Sequence, residues 1–359
     1  MSDYADEFIR RSLRINRVAA GEAIKAAGKA ATIESRIEAA MMRLADGDFN
    51  FAARQRAISS ISNIIKEQFE QAGAAAEDLA EKLVQSEAEW QVKILESYST
   101  SSVSSVVIED IAKIARATPY QGKTFQSWFK EAGVKSPRKA AGIIEAGFVE
   151  GKSVSQVTSE IKLLTKKSIP QIRTLVRSNL LHASAIGREQ AVQANRDILE
   201  GKIWNSTLDV RTTVDICGIR DGLEYDMNNS PIGHSVPWGA GPSQIHFNCR
   251  SISIPKISGV DSRTKRPSVG AGKEYERGDN KTRTGKVRKP TKANRDNDIF
   301  KVQQKAAGTN YESWLRSQKT DFVADAMGSK AKAVAFKNGE SLSSLTNTPL
   351  GTNLTINQL

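Results

Sequence analysis

Hydrophobic positions along most of the chain recur every three or four residues, the spacing of a helix with one buried stripe. "TIESRIEAAMMRLAD" sets Ile33, Ile37, Met41 and Leu44 on one face before Gly47, and residues 1–47 read as helical. The strongest periodicity runs from 51 to 98. There Ile58, Ile61, Ile65, Phe69, Ala72, Ala76, Leu79, Leu83, Trp90, Ile94 and Tyr98 follow in steps of three and four, with one loss of phase at Ser86 and Glu87. A helix of that length extends roughly 70 Å. Its stripe must pack on other helices of this chain or of another subunit. "STSSVSSVV" (Ser99–Val107) reads as a linker or short strand, and Trp128 and Phe129 as core anchors of the mixed segment that follows.

Three punctuated helices come next. Ser136-Pro137 reads as an N-cap and first turn, Ser153 as the cap of a second helix, and Ser168 with Pro170 as the start of a third that stops before Gly201. The texture then changes. "GKIWNST" reads as a strand, "LDVRTTVDICGIRDGLEYD" as turns, "NNSPIGHSVPWGAGPS" as a Pro/Gly loop, and "HFNCRSISIPKI" ends in an alternating strand. Residues 261–298 hold almost no large apolar side chains and read as a linker or extended arm. "NYESWLRSQKTDFVADAMGSKAKAVAF" reads as amphipathic helix, with Trp314, Leu315, Phe322 and Met327 apolar. The predicted fold is mostly α with a small α+β module. It divides into N-terminal helices (1–115), a central module (116–255), a basic flexible linker (256–299) and a C-terminal helical segment (300–359).

Charge sharpens this division. The formal net charge is +12 over 359 residues, yet residues 1–150 carry 20 Lys+Arg against 21 Asp+Glu. The remaining 32 basic and 19 acidic residues lie beyond 150, which points the second half toward an anionic partner. Lys281, Arg283, Lys286, Arg288, Lys289 and Lys292 form the densest basic run and are the candidate nucleic-acid contacts. "MSDYADEFIRRSLRINR" is charged throughout and does not read as a signal peptide, and no window reaches ~18 consecutive apolar residues. The sequence therefore predicts no membrane span and synthesis in a cytoplasm.

The chain has two cysteines and three histidines. Cys217, His246 and Cys249 are ligands of the type zinc prefers, with Asp209 or His234 as a fourth. The C-x-x-C pair of standard zinc knuckles is missing, and a Cys217–Cys249 disulfide or two reduced buried thiols remain open alternatives. Asp209, Asp215 and Asp221 crowd one turn, where they either hold a metal or cap turns through hydrogen bonds. No phosphate-binding loop, dinucleotide fingerprint or H-E-x-x-H motif occurs. His182 reads as a satisfied structural histidine on an apolar helix face. Trp204 and Trp238 read as the hydrophobic mass of the polar module.

The order of these pieces resembles the Mu F-like (MuF) phage head morphogenesis family, the minor head proteins of tailed bacteriophages. The family pattern is a helix with an Arg-Thr pair, then W-x-x-T-x-D-x-R-T, a Cys or His, a D-G pair and H-x-N-C-R. It matches Arg177 with Ser178, Trp204, Thr207, Asp209, Arg211, Thr212, Cys217, Asp221, Gly222, His246, Asn248, Cys249 and Arg250. Ser178 stands where Thr is usual, and "CRS" lacks the second cysteine that many members have. The resemblance implies a virion protein inside the head near the portal vertex, present in the host cytoplasm during assembly. It implies the portal protein, the major capsid or scaffolding protein, and non-specifically bound packaged double-stranded DNA as partners, and no enzymatic activity. Asp209, Arg211, Thr212, Asp221, Gly222, Asn248 and Arg250 are expected to form a structural polar network, with Cys217, His246 and Cys249 closing it around a zinc ion or as packing residues. A metal-dependent nuclease using Asp209, Asp215, Asp221 and His246 is the alternative from another class, and a free-standing DNA-binding protein of the host cytoplasm is a third reading.

Overall fold

The structure is a computed structural model that describes residues 4–28, 31–45, 51–279 and 297–346, with residues 293 and 295. The fold is mostly α-helical with a small β-sheet module. Two compact units divide the chain, one of residues 15–87 and 107–187, the other of 1–14, 88–106 and 188–359. They cut across the four consecutive segments expected from the sequence, because α1 (Tyr4–Gly28), α3 (Phe51–Tyr98) and α6 (Val154–Ala194) each contribute to both.

The first unit is helical and also contains α2 (Ala31–Ala45), α4 (Ile108–Ala117) and α5 (Phe125–Val149). Helix α3 is continuous over 48 residues, and Ile61, Ile65, Phe69, Ala72 and Ala76 are buried. Where the sequence loses phase, Val84 and Ala88 take over the buried stripe and Glu87 turns inward, fully buried. The Ser184 hydroxyl of α6 donates to Glu87 Oε2 at 3.1 Å. A Cβ at Gly187 would meet the Val84 carbonyl at 2.3 Å, so glycine there permits the close approach of α3 and α6.

Two prolines expected to start helices lie inside them. Pro137 sits within α5 and Pro170 within α6. Each removes one backbone donor, at a cost of about 3 kcal/mol in an isolated helix. Packing overrides that preference at Pro137, which is buried with Ser136, Gly133 and Ala140. At Pro170 the preceding turns are tied by Thr165 Oγ1 to the Ile161 carbonyl (3.0 Å) and Ser168 Oγ to the Leu164 carbonyl (3.2 Å). Ser153 is a true cap: its hydroxyl accepts from the Gln156 N–H and its own N–H donates to the Gln156 side chain.

The second unit carries two sheets. Strands β1 (Leu199–Asn205), β3 (Glu224–Tyr225), β4 (Pro231–Ile232) and β5 (Ile252–Ile257) form an antiparallel sheet in the order β4-β3-β1-β5. Tyr4, Phe8, Leu95 and Val192 join Leu199, Ile252, Ile254 and Ile257 in one core. In the other sheet β6 (Arg266–Ala271) lies between β2 (Leu208–Asp209), which it pairs in parallel, and β7 (Phe300–Lys305), which it pairs antiparallel.

Strand β6 corrects the expectation of a linker over 256–299. Its most buried residues are Arg266, Ser268 and Gly270, while the apolar Val269 and Ala271 between them are partly buried against the C-terminal core, so the alternation is the reverse of the apolar-in pattern that marks a strand. The C-terminal segment is corrected too. It opens with the strand β7, and the expected helical stretch follows as α7 (Tyr311–Arg316), α8 (Thr320–Met327), α9 (Lys330–Lys337) and α10 (Leu342–Leu345). Gly328 ends α8 in the left-handed conformation and the Ser329 side chain caps α9. Trp314, Leu315 and Phe322 are buried with Tyr311, Tyr275 and Phe300, and Met327 packs against them. Among the described residues no helix is long and apolar enough to cross a membrane.

His182 of α6 is 1% exposed, ringed by Tyr120 and Phe125 at 5.2 and 5.5 Å. Burial lowers its pKa from 6.5 to about 4, which the nearby Thr118 carbonyl opposes only in part. The folded state thus holds the ring neutral while the unfolded chain protonates it near pH 6.5. Stability from this group is complete above pH 6.5 and is lost as pH falls toward 4, by about 3 kcal/mol in all. His182→Phe should remove this component. The difference in urea unfolding free energy between variant and parent should grow by about that amount from pH 7 to pH 4; a pH-independent difference contradicts the assignment.

Candidate functional site

The densest chemistry lies in the second unit, where the chain turns sharply between β1 and β5. Trp204, Ile216, Tyr225, Trp238 and Ile245 form a small core with both cysteines. Trp204 and Trp238 meet edge to face at 5.2 Å, and Tyr225 and Trp238 at 4.8 Å. The two tryptophans thus supply hydrophobic mass, as the sequence suggests.

Two carboxylates organise the polar residues, each gripped by an arginine at two points. Asp209 receives Arg250 Nη1 on Oδ2 at 2.6 Å and Nη2 on Oδ1 at 2.7 Å. The Arg211 N–H donates to the same Oδ1 at 3.0 Å, and the Thr212 hydroxyl donates to the Thr207 carbonyl at 2.5 Å. Arg211 therefore hydrogen-bonds Asp209 with its backbone, while its guanidinium favours the carboxylate through charge. Burial alone would raise the Asp209 pKa, but Arg250 outweighs it and holds the carboxyl below its ordinary range.

Asp221 is more enclosed, with its side chain 0% exposed. It accepts Arg266 Nη1 on Oδ2 at 2.8 Å, Arg266 Nη2 on Oδ1 at 3.0 Å, the Ser206 N–H at 2.5 Å and the Tyr311 N–H at 2.6 Å. Arg266 Nη2 also donates to the Ser206 carbonyl. Gly222 follows at φ +82°, and a Cβ there would come within 3.2 Å of Asn310, whose side chain caps α7. The Asp-Gly pair thus seats the start of α7.

Cys217 lies in a π-helical turn, Val214–Gly218, and Cys249 and His246 in the loop before β5. Asn248 adopts φ +60°, a conformation asparagine tolerates better than most residues, and the Cys249 N–H donates to the His246 carbonyl at 3.1 Å. This tight turn brings His246 and Cys249 to one side. Cys217 Sγ stands 3.0 Å from His246 Nε2 and 3.6 Å from Cys249 Sγ, and both cysteines are free thiols. His246 Nδ1–H donates to the Phe247 carbonyl at 2.9 Å, which turns Nε2 toward the sulfurs, where it can ligate a metal or, protonated, support the Cys249 thiolate. Burial acts to lower the His246 pKa, but the Cys249 thiolate outweighs it and raises it.

Among the described residues, Cys217, His246 and Cys249 form the group of three whose ligand atoms, all within 4.8 Å of one another, could hold a metal ion. The donor set fits zinc: two thiolates on a tetrahedral zinc with bonds of about 2.3 Å stand roughly 3.8 Å apart, close to the 3.6 Å seen. Two buried thiols this close do not ionise together. Burial raises Cys217, with Cys249 adding to the rise. Burial also acts to raise Cys249, but the bond from Cys217 and the His246 ring outweigh it and hold it well below the ordinary thiol range. The Ser243 N–H donates to Cys249 Sγ at 3.3 Å and adds to its support as a thiolate.

The proposed fourth ligands are engaged elsewhere. His234 uses Nε2 on the Glu224 carbonyl at 2.8 Å and accepts the Val236 N–H on Nδ1 at 3.2 Å. Asp209 is held by Arg250, Asp221 by Arg266, and Asp215 lines a separate cavity of about 320 Å³ with Arg211 and Lys332. Asp209, Asp215, Asp221 and His246 do not gather into a metal-binding group. Lys281, Arg283, Lys286, Arg288, Lys289 and Lys292 lie outside the described residues. No family model matches the chain, and neither a curated protein nor a solved structure matches it.

Sequence reasoning misses several members of this site. Arg266 and Tyr311 sit in segments assigned to a linker and a separate helix. Arg220 is fully buried, donating from Nε to the Pro237 carbonyl at 2.8 Å and from Nη1 to the Ile216 carbonyl at 2.6 Å, with its guanidinium over Trp204. Ser206 Oγ bridges the Cys217 carbonyl and Ser251 Oγ at 2.8 and 3.0 Å. None of these carried a signal in isolation, since Arg and Ser are ordinarily exposed.

Removing one partner of the Asp221–Arg266 pair strands a buried charge. Asp221→Asn should cost about 3–5 kcal/mol of stability in urea unfolding, and the Asp221→Asn/Arg266→Met double variant less than the sum of the two single ones. Additive effects would show that the two side chains do not act as a pair.

Proposed function

We propose that this chain is a minor head protein of a tailed bacteriophage, placed at the portal vertex and acting in head assembly, DNA packaging or DNA delivery through protein and non-specific DNA contacts. One observation carries the reading. The residues by which the sequence resembles the head morphogenesis family, from Trp204 and Asp209 to Asp221, His246, Cys249 and Arg250, converge on one buried, interlocked module.

The module is a scaffold in this reading. Asp209 and Asp221 are saturated by arginines and backbone donors, which suits them to fixing turns. Zinc held by Cys217, His246 and Cys249 would supply a cross-link between the turn of Cys217 and the loop before β5. The basic run at 281–292 would neutralise phosphates without reading sequence. The portal protein, and the capsid or scaffolding protein, are the protein partners.

Purified protein should carry about one zinc per chain, with Cys217 and Cys249 reactive to thiol reagents only after unfolding. Cys249→Ser should abolish the zinc. Metal-free protein with full stability would remove the ion from the reading.

The placement itself is tested in infected cells of a phage that encodes this chain. Mass spectrometry of purified DNA-filled heads, and cross-linking of the full chain to the portal protein, should both detect it. Absence from heads overturns the proposal. Changing the six basic residues between 281 and 292 to glutamine should weaken duplex DNA binding equally across sequences. It should also flatten the salt dependence by up to about five units of log–log slope.

A further inference from the structure

In the helical unit the start of α3 meets the end of α5 at the surface. The Arg54 guanidinium of α3 lies over the ring of Phe148 of α5 at 4.4 Å and over the ring of Phe51 at 5.2 Å. Attraction of the cation to the two ring faces holds it there. Phe51 is 67% exposed, Phe148 39%, and Val149, the last residue of α5, 84%. Single exposed apolar side chains are ordinary, but two aromatic rings joined through one arginine make a continuous patch.

The charge at this patch is one-sided. Between 51 and 66, α3 carries Arg54, Arg56 and Lys66 and no acidic residue. Lys66 has Glu70 at 3.6 Å. Among the described residues Arg54 and Arg56 make no ion pair, and the enclosed Nε of Arg54 has no hydrogen-bond partner. The Arg54 guanidinium is thus positioned by ring contacts alone and keeps an uncompensated positive charge. A weakly hydrated guanidinium stacked in this way suits an interfacial ion pair with a carboxylate. Aromatic residues and arginine are also enriched where proteins meet.

We propose that Phe51, Arg54, Phe148 and Val149 form a docking site for a protein segment that presents a carboxylate flanked by apolar side chains. The carboxylate would face Arg54, and its apolar neighbours would cover Phe51 and Val149. Under the function proposed above, on which this point rests, the segment belongs to the portal protein.

The experiment measures binding of purified portal protein to the full-length chain at low and high salt. Phe51→Ala should weaken binding about fivefold or more, and Arg54→Glu about thirtyfold or more. Arg54→Gln should also flatten the salt dependence, because ions screen the charge pair it removes. Lys82→Gln, at an exposed position farther along α3, should leave binding unchanged. Phe51 is mostly in solvent, so Phe51→Ala carries the test by itself if the Arg54 variants do not fold. Portal binding untouched by Phe51→Ala and Arg54→Glu overturns the docking site, and detection of the chain in DNA-filled heads would then leave the proposed function standing. A portal protein that ignores the parent chain overturns the docking site as well. So does self-association of the chain that Phe51→Ala abolishes, which assigns the patch to a second copy.

Discussion

The Asp221 carboxylate is the constraint on which the second unit depends. It lies out of solvent and is stable there only because four donors converge on it, two from Arg266 and one each from the backbones of Ser206 and Tyr311. Those donors come from the end of β1, the start of β6 and the start of α7. A single charged group thereby fixes where three distant segments meet. The neighbouring Asp209–Arg250 pair repeats the device between β2 and the loop before β5. Buried ion pairs of this kind add little net stability over a hydrophobic substitute, but they penalise every arrangement that separates them.

This explains what was legible in the sequence. Helix α3 announces itself through spacing, as do the two stretches that the sequence divides at Ser168 and the structure joins as α6, and β1 and β5 do so through runs such as "KIWN" and "ISIPKI". Asp209, Asp221, Asn248, Cys249 and Arg250 stood out because their order resembles a family pattern, and the structure brings them together. Arg266 had no such marker. Its strand buries arginine, serine and glycine most deeply, so hydropathy reads it as linker while its partner Asp221 lies 45 residues away. Long-range electrostatic pairing leaves no local trace.

The prolines fail differently. A serine one or two residues before a proline is a sound local sign of a helix start, and at Pro137 and Pro170 both prolines nevertheless lie inside helices. The phase loss at Glu87 carried information of another kind. It marks a carboxylate turned into the helical core against Ser184, where a regular stripe would have placed an aliphatic residue. A lapse in periodicity on a long helix is thus a place to look for buried polar contacts.

The first turn of α1 adds a consequence for biosynthesis. Tyr4 donates its hydroxyl to the Pro255 carbonyl, 251 positions later, and Phe8 packs in the same core as Ile252, Ile254 and Ile257. At roughly 5–20 residues per second, a ribosome needs on the order of 10–50 s to deliver those partners. Through most of that interval Tyr4 and Phe8 have only the α3 side of their core, Trp90, Leu95 and Tyr98, to pack on. Translation that halts before β5 therefore leaves this core without its sheet face, Ile252, Ile254 and Ile257, and with apolar surface open to solvent.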